Sequence, residues 1–323
     1  MADTTVIIPN LNGIHYLKNC LDSLYACEKT AFPVIVVDNG STDGSRELIG
    51  QEYPAVRLIC FSENRGFSAA VNAGIRAADT PFVILLNNDT VVEPRFVSRL
   101  TDAVRHSPQY FSAGAKMVSL QNPEIIDDAG DYYCALGWAF ARGKGRPQTR
   151  YCTPCDIFAA CGGAAVYRRD ILLQLGLFDE AYFAYLEDID IGYRARMRGY
   201  TNRFAPDAVV RHAGSASSGS RYNVFKVRLS SRNSVYLIGK NMPPLQILLN
   251  LPFLLAGFLI KFLFFLKKGY GPVYARGLWN GLRMCCLPAA KSRKSSSLRP
   301  SLRICLKLEG EFLSSLFAHR LFR

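Results

Sequence analysis

In the first hundred residues, short runs of continuous apolar residues alternate with segments of helical spacing. This alternation leaves few folds open. TTVIIP (4–9), PVIVVDN (33–39), VRLICF (56–61) and FVILLNN (82–88) have the length and β-branched content of strands buried on both faces. Between them, Leu17, Leu21 and Leu24 recur at helical spacing, and GFSAAVNAGIRAA (66–78) reads as a small-residue helix. Pro94 sits near the start of a further helix carrying Phe96, Val97 and Leu100. The pattern predicts an α/β fold, a mostly parallel sheet with helices on both faces. Ligands of such sheets bind at the carboxyl ends of the strands. The polar strand ends Asn10–Asn12, Asp38–Asn39 and Asn87–Asp89 therefore carry most weight.

The first strand runs into PNLNG rather than GxGxxG, and there is no GxxxxGK[ST]. Both absences argue against a dinucleotide-binding Rossmann domain and a P-loop NTPase. Residues 112–160 are less regular, with loops expected near 123–131 and 142–156. Order resumes at CGGAAVYRRDIL (161–172) and continues through LGLFDEAYFAYLEDIDIGYRARMRGY (175–200). A chain of 323 residues, half of them apolar, can bury a sizeable core. It is neither a disordered chain nor a small disulfide scaffold.

Several residue groups suit chemistry. Asp38 closes an apolar strand, where a carboxylate can accept hydrogen bonds from a base or ribose; Ser41, Thr42 and Asp43 after it read as turn and cap residues. Asn64–Gly66 precede a helix whose first amides suit a phosphate or hydroxyl. Asn87 and Asp89 stand two apart at a strand end, so both oxygens can face one cation, and Mg²⁺ or Mn²⁺ takes such a site when substrate phosphates supply the remaining ligands. His212 follows the short apolar strand AVV (208–210) and is a candidate third ligand, one that suits Mn²⁺. Glu187, Asp188 and Asp190 crowd the start of a helix. They are either helix-terminal electrostatics or a general base whose pKa its neighbours raise. Gly162, Gly163 and Ala164 permit close backbone approach to a ligand.

Charge is unevenly placed. Residues 1–200 hold 19 Lys and Arg against 23 Asp and Glu; residues 201–323 hold 20 against 3. Within the basic third lies ILLNLPFLLAGFLIKFLFFL (247–266), about the length that crosses a bilayer. Asn250, Pro252 and Lys261 interrupt it. Basic residues flank it on both sides, with Lys226, Arg228, Arg232 and Lys240 before and Lys267, Lys268 and Arg276 after. This symmetry favours a helix or hairpin lying in the cytoplasmic leaflet over a single span, with a buried core helix pair as the competing reading. The start MADTTVIIPN has no signal-peptide character, so a cytosolic location is expected and the ten cysteines read as small core hydrophobes. Cys152 and Cys155 form one CxxC, with Cys161 the nearest further zinc ligand, and one such pair is a weak zinc signal.

These strings together resemble the inverting family-2 glycosyltransferases with a GT-A fold, particularly the rhamnosyltransferase-like branch. The resemblance covers about residues 3–240. It rests on VIIPNLNGIHYLKNCLDSL, VVDNGSTDGS, NRGFSAAVNAGI, LLNNDT, GGAAVYRRDIL, GLFDEAYFAYLEDIDIGYRARMRGY and VVRHAGSAS. It implies a catalytic GT-A domain over 1–240; beyond it, composition alone gives a basic, apolar helical tail over 241–323, expected to associate with an anionic membrane surface. It implies that Pro9, Asn10, Asn12 and Asp38 hold the nucleotide, and that Asn64 and Arg65 flank the donor pocket. Asn87, Asn88 and Asp89 match the family's DXD position, with Asn in place of the first Asp, and His212 matches a histidine that completes the cation site. Gly162, Gly163 and Ala164 match a glycine loop near donor sugar and acceptor. Glu187–Asp188 match the ED motif, whose Asp is the catalytic base.

The implied reaction moves a sugar from a nucleoside-diphosphate sugar to a glycan or lipid-linked acceptor in bacterial surface polysaccharide synthesis, at the inner face of the cell membrane. The branch favours dTDP-rhamnose, and UDP- and GDP-sugars use the same frame. Three rivals stand beside this reading. A nucleotidyltransferase would need a basic loop after the first strand, and PNLNG has no Lys or Arg. A nucleic-acid binder would need a recognition motif in the tail, which has none, so nucleic acid is not an expected partner. A non-catalytic sugar-nucleotide-binding protein is disfavoured by intact Asp89 and Asp188.

Overall fold

The computed structural model describes residues 3–27, 32–214, 222–286 and 302–318. Strands β1 (Thr4–Asn10), β2 (Val34–Asp38), β3 (Arg57–Cys60) and β4 (Phe82–Leu86) form a parallel half-sheet in the order β3-β2-β1-β4. Side chains alternate across it, as pleating requires. Val6 and Ile8 point into one core, covered by α1 (Ile14–Cys27), α2 (Ser45–Glu52) and α4 (Phe96–Arg105). Ile7 points into the other, covered by α3 (Phe67–Ala77), α5 (Arg169–Gln174) and α6 (Glu187–Met197). Gly74 lets α3 sit against the sheet, since a Cβ there would lie 2.4 Å from Ile7 Cγ2.

Beyond β4 the sheet becomes mixed. β11 (Ala164–Arg168) runs antiparallel to both β4 and β6 (Tyr110–Ser119), and β12 (Thr201–His212) runs parallel to β6. β10 (Cys155–Ile157) closes this edge. The short β5 (Thr90–Val92) pairs with the end of β12, β7 (Ile126–Asp128) pairs with β6, and β8 (Asp131–Tyr133) and β9 (Ala139–Ala141) form a separate hairpin.

Three local expectations need correction. β6 is a ten-residue, almost wholly buried strand inside the stretch expected to be irregular. Its Ser112, Gly114 and Lys116 break the apolar run, and neighbours on both sides rather than its own composition make it a strand. The apolar AVV is the end of a twelve-residue strand whose register shifts between Ala205 and Val209, around Pro206, which has no amide to give the ladder. The expected loops 123–131 and 142–156 are interrupted by β7, β8 and β10.

The C-terminal third packs onto the sheet domain. Its helices are α7 (Val224–Asn241), α8 (Pro244–Lys267), α9 (Gly271–Cys286) and α10 (Leu302–Ala318). α7 begins well before residue 241 and is bound to α6: Lys240 Nζ lies 2.9 Å from both Asp179 and Asp190, and Asn241 Nδ2 donates to Asp190 at 2.7 Å. Phe312 of α10 is fully buried among Tyr133, Phe158 and Tyr193. The apolar stretch is one continuous helix. It is the one helix among the described residues that is long and apolar enough to cross a membrane by length and composition. Of the Ser/Gly-rich segment AGSASSGS (213–220) that follows His212, only residues 213 and 214 are described.

Candidate active site

A cavity of about 730 Å³ opens at the carboxyl ends of β1, β2 and β4, where parallel strands of this topology leave their ligand sites. Pro9, Asn10, Asn39 and Asn64 line one part of it; Asn87, Asn88, Asp89 and His212 another; Gly162, Gly163, Glu187 and Asp188 a third. Residues far apart in sequence thus share one space.

The candidate cation site is assembled by the β5–β12 pairing. That register sets His212 opposite Thr90, one residue from Asp89. His212 Nε2 lies 3.3 Å from Asp89 Oδ1, and its Nδ1 lies 2.7 Å from Asp127 Oδ2. Asn87 and Asp89 reach the cavity through a turn rather than by strand alternation, and Thr90 Oγ1 donates to the Asn87 carbonyl at 2.7 Å to hold it. A carboxylate and an imidazole 3.3 Å apart, with the Asn87 side chain on the same cavity wall, suit Mg²⁺ or Mn²⁺. The Asp127 carboxylate stands where a group that orients a metal-bound imidazole belongs. The donor set therefore fits a divalent cation. Burial disfavours a charged imidazole, but the bonds to Asp127 and Asp89 outweigh it and raise His212 to about 9. Burial likewise opposes the charge on Asp127, yet His212 and Lys144 hold that carboxyl down at about 2.

The carboxylate side is built on a strained loop. Phe183, Tyr185 and Leu186 all have positive φ, at 64°, 70° and 69°. Such backbone persists only where its surroundings hold it. Asn233 Nδ2 donates to the carbonyls of Tyr182, Ala184 and Tyr185, and Arg232 donates to those of Ala181 and Tyr182. From the other side, Phe67 N–H donates to the Phe183 carbonyl at 2.7 Å. The loop delivers Glu187 and Asp188 at the first turn of α6. Burial raises the Asp188 carboxyl above its ordinary range, partly offset by the amides of Ile189 and Gly162. Burial, then Asp188, pushes Glu187 up to about 8, and its Oε2 is buried without a hydrogen-bond partner. Asp190 is different. It is wholly buried between Arg194, Lys240, Asn241 and Tyr182, which hold its carboxyl below the usual range despite burial. Asp190 welds α6 to α7 and does not face the cavity.

Four of the residues expected at the site are off its wall. Asp38 is fully buried, with Oδ1 accepting from Ser41 N–H and Arg46 Nε and Oδ2 from Asn10 Nδ2. It shapes the end of β1. Asn12 is exposed and accepts from Thr42 N–H, and Arg65 lies over the Phe61 ring. Ala164 is buried in the core within β11. Asp43 accepts from Ile14 and Ser45, as a turn and cap residue should. Cys152 is exposed, and the described metal-capable cluster is Asp128, Asp131 and Cys161, which excludes the CxxC pair.

Sequence reasoning passed over Phe67, Asp127, Asp131 and Tyr185, and read Lys226 only as a basic flank of the apolar stretch, though it lines the cavity. The signal for the aspartates was present in IIDDAGD, three carboxylates in five residues of an otherwise apolar stretch.

A sequence model described as glycosyl transferase family 2 matches residues 5–176. The chain belongs to that family. A relative from Mycobacterium tuberculosis, an N-acetylglucosaminyl-diphospho-decaprenol L-rhamnosyltransferase, is 30% identical over 233 residues, covering 63% of this chain and 74% of that one. Succinoglycan biosynthesis protein ExoO of Rhizobium meliloti is 29% identical over 127 residues, 39% of this chain and 34% of that protein. Among solved structures, S. aureus TarS 1-349 with UDP-GlcNAc superposes at TM-score 0.59 and 17% identity, covering all of this glycosyltransferase and 93% of that chain. GalNAc-T7 with UDP, GalNAc and Mn²⁺ gives 0.61 at 16% identity, over 74% of this chain and 48% of that one. The shared fold is GT-A.

Proposed function

We propose that this glycosyltransferase moves a sugar, with inversion, from a nucleoside-diphosphate sugar to a hydroxyl of a glycan or lipid-linked acceptor in surface polysaccharide synthesis. One observation carries the reading: a carboxylate raised by burial, Asp188, and the Asp89–His212 pair line the same cavity. Inversion needs a base on one face of the sugar and a stabilised leaving group on the other.

The nucleotide lies along Pro9, Asn10, Asn39 and Asn64. Asp38 and Asn12 act from behind, since Asp38 fixes the Asn10 amide and Asn12 the Thr42 backbone. Arg65 stays at the rim. Asn88 donates to Asn10 Oδ1 at 2.7 Å and so ties the diphosphate side to the nucleotide side. Asp89, His212 and Asn87 are the residues that would hold a Mg²⁺ or Mn²⁺ ion, and the chemistry such an ion would supply there is neutralisation of charge on the diphosphate leaving group. Asp188 accepts the proton of the acceptor hydroxyl as its oxygen bonds to the anomeric carbon. The bond from that carbon to the diphosphate breaks, and the nucleoside diphosphate leaves. Glu187, raised further than an ordinary carboxyl, stays beside the base as a proton-bearing neighbour. Gly162 and Gly163 leave space for the sugar, and Ala164 backs them.

The relative named as an L-rhamnosyltransferase favours a rhamnose donor, and the resemblance to the rhamnosyltransferase-like branch favours its dTDP form. Relatives named for lipid-linked and polysaccharide products favour such an acceptor at the cytoplasmic face of the membrane. The test is nucleoside-diphosphate release from dTDP-, UDP- and GDP-sugars, with and without Mn²⁺ or Mg²⁺, beside Asp188→Asn. Release from one donor, dependent on a cation and reduced about 10²- to 10⁴-fold in the variant, is expected. Release unaffected by Asp188→Asn removes that residue as base.

A further inference from the structure

Helix α8 turns its polar residues inward and its apolar residues outward. Gln246, Asn250, Leu254, Gly257, Lys261 and Phe265 recur every three or four positions, and this stripe faces the protein. Each member is accommodated there. Gln246 Oε1 accepts from Tyr193 OH at 2.7 Å, and Asn250 Nδ2 donates to Glu309 at 2.8 Å. Lys261 Nζ lies 5.0 Å from the Trp138 ring centroid, and a Cβ on Gly257 would meet the Leu136 carbonyl at 2.3 Å. On the opposite face Leu245, Leu248, Leu255, Leu259, Leu263 and Leu266 are each more than half exposed. A folded protein in water rarely leaves such a continuous apolar face uncovered.

Charge says what covers it. Lys267 and Lys268 are exposed at the end of α8, and Arg276 and Arg283 are exposed on α9 beside Trp279 and Leu282. Between residues 208 and 308 the sequence has no Asp or Glu. A second copy of this face would bring these cations against one another. An anionic leaflet neutralises them while its acyl chains cover the leucines. The face also adjoins the active site. Phe265 lines the cavity together with Tyr222, Phe225 and Lys226, and Tyr222 packs on Phe264 and Phe265 at 5.6 and 5.7 Å between ring centroids.

We infer that the outward face of α8, with the cationic ends of α8 and α9, is a docking surface for an anionic lipid leaflet, and that docking sets the Tyr222–Phe265 edge of the cavity at the headgroup layer. The second half rests on the proposed lipid-linked acceptor; the docking surface itself does not. A helix of this length lies about 36 Å along the membrane plane.

The full-length chain is floated with vesicles of phosphatidylcholine alone or with one-third phosphatidylglycerol, and Trp279 emission is followed. Wild type is expected to float with the anionic vesicles and to shift its emission to the blue, with the shift absent in Trp279→Phe. The triple change Leu248→Glu, Leu259→Glu, Leu263→Glu should cut partitioning more than tenfold. Lys267→Glu with Lys268→Glu should weaken it by about fivefold per charge removed. Both variants should keep the wild-type melting temperature and nucleoside-diphosphate release. Equal flotation of the triple variant, or no flotation of wild type, overturns the docking surface. So does a lipid-free dimer that the triple variant dissolves. Nucleoside-diphosphate release dependent on Asp188 would still stand in each case, so the two readings fail separately.

Discussion

Asp127 and His212 are 85 residues apart in sequence, and Asp127 Oδ2 lies 2.7 Å from His212 Nδ1, which leaves Nε2 directed at Asp89. The Asp127 Oδ1 atom accepts from Lys144 at 2.6 Å, so the carboxylate is itself held in place. Asp127→Asn keeps the shape and loses the charge that fixes the imidazole tautomer. It should weaken Mn²⁺ binding about 10- to 100-fold, read by electron paramagnetic resonance of free Mn²⁺. Asp89→Ala and His212→Ala should lose more. Unchanged Mn²⁺ affinity in Asp127→Asn, with loss in the other two, would mean that the ring needs no orienting partner.

The proposed reaction assigns different roles to the two adjacent carboxyls at the start of α6. Asp188→Asn should lower kcat by roughly 10²- to 10⁴-fold and leave nucleotide-induced thermal stabilisation intact. Glu187→Gln keeps a neutral group in the same place and should cost far less. A base must lose its proton, and burial raises the Asp188 carboxyl. kcat/KM should therefore rise with pH along a limb displaced above the ordinary Asp value of about 3.9. A profile flat down to pH 4, or equal losses in the two variants, would contradict the assignment.

The parallel half of the sheet was legible because its strands are buried on both faces and so carry unbroken apolar runs. Asn10, Asn64, Asn87, Asp89, Glu187 and Asp188 were legible as polar strand or helix ends, and they line the cavity. β6 was hidden because its polar residues find partners distant in sequence: Ser112 Oγ donates to Asn202 Oδ1 at 2.8 Å across the β6–β12 pair, and Lys116 sits in register with Val209. Asp38 shows the opposite failure. A polar strand end looks the same in sequence whether it faces a ligand or, as here, closes its own loop through Arg46 and Ser41. The inward stripe of α8 was legible only as interruptions. Asn250 and Lys261 looked like defects in a membrane helix until Glu309 and Trp138 supplied their partners.

Gly66 joins the nucleotide side to the strained loop. Its φ is +85°, and a Cβ there would lie 2.5 Å from the Phe183 carbonyl, the acceptor of the Phe67 amide. Gly66→Ala therefore combines an unfavourable backbone conformation with a backbone clash. It should destabilise the fold by more than about 1 kcal/mol and lower kcat, since the Phe183–Leu186 backbone that carries Asp188 must shift. Denaturant unfolding and steady-state rates measure the two effects. A variant with wild-type stability and rate would show that this contact holds nothing in place.

Asp190 anchors the C-terminal helices to the catalytic unit, and acid should reveal it. Arg194 and Lys240 lie within 3 Å of it, and Lys240 also bonds Asp179. Removing one partner of a buried pair leaves an uncompensated charge and costs about 3–5 kcal/mol. Asp190→Asn is expected to lose that much at pH 7, measured by urea unfolding. Both Asp190 and Asp179 have carboxyls held below their unfolded value. The stability they contribute is thus fully present above about pH 4 and is lost as pH falls from there towards their folded values. Wild type should lose stability over that interval faster than Asp190→Asn, so the two curves converge below pH 4. Curves that stay parallel from pH 7 down to pH 2.5 would mean that the Asp190 charge does not hold α6 to α7.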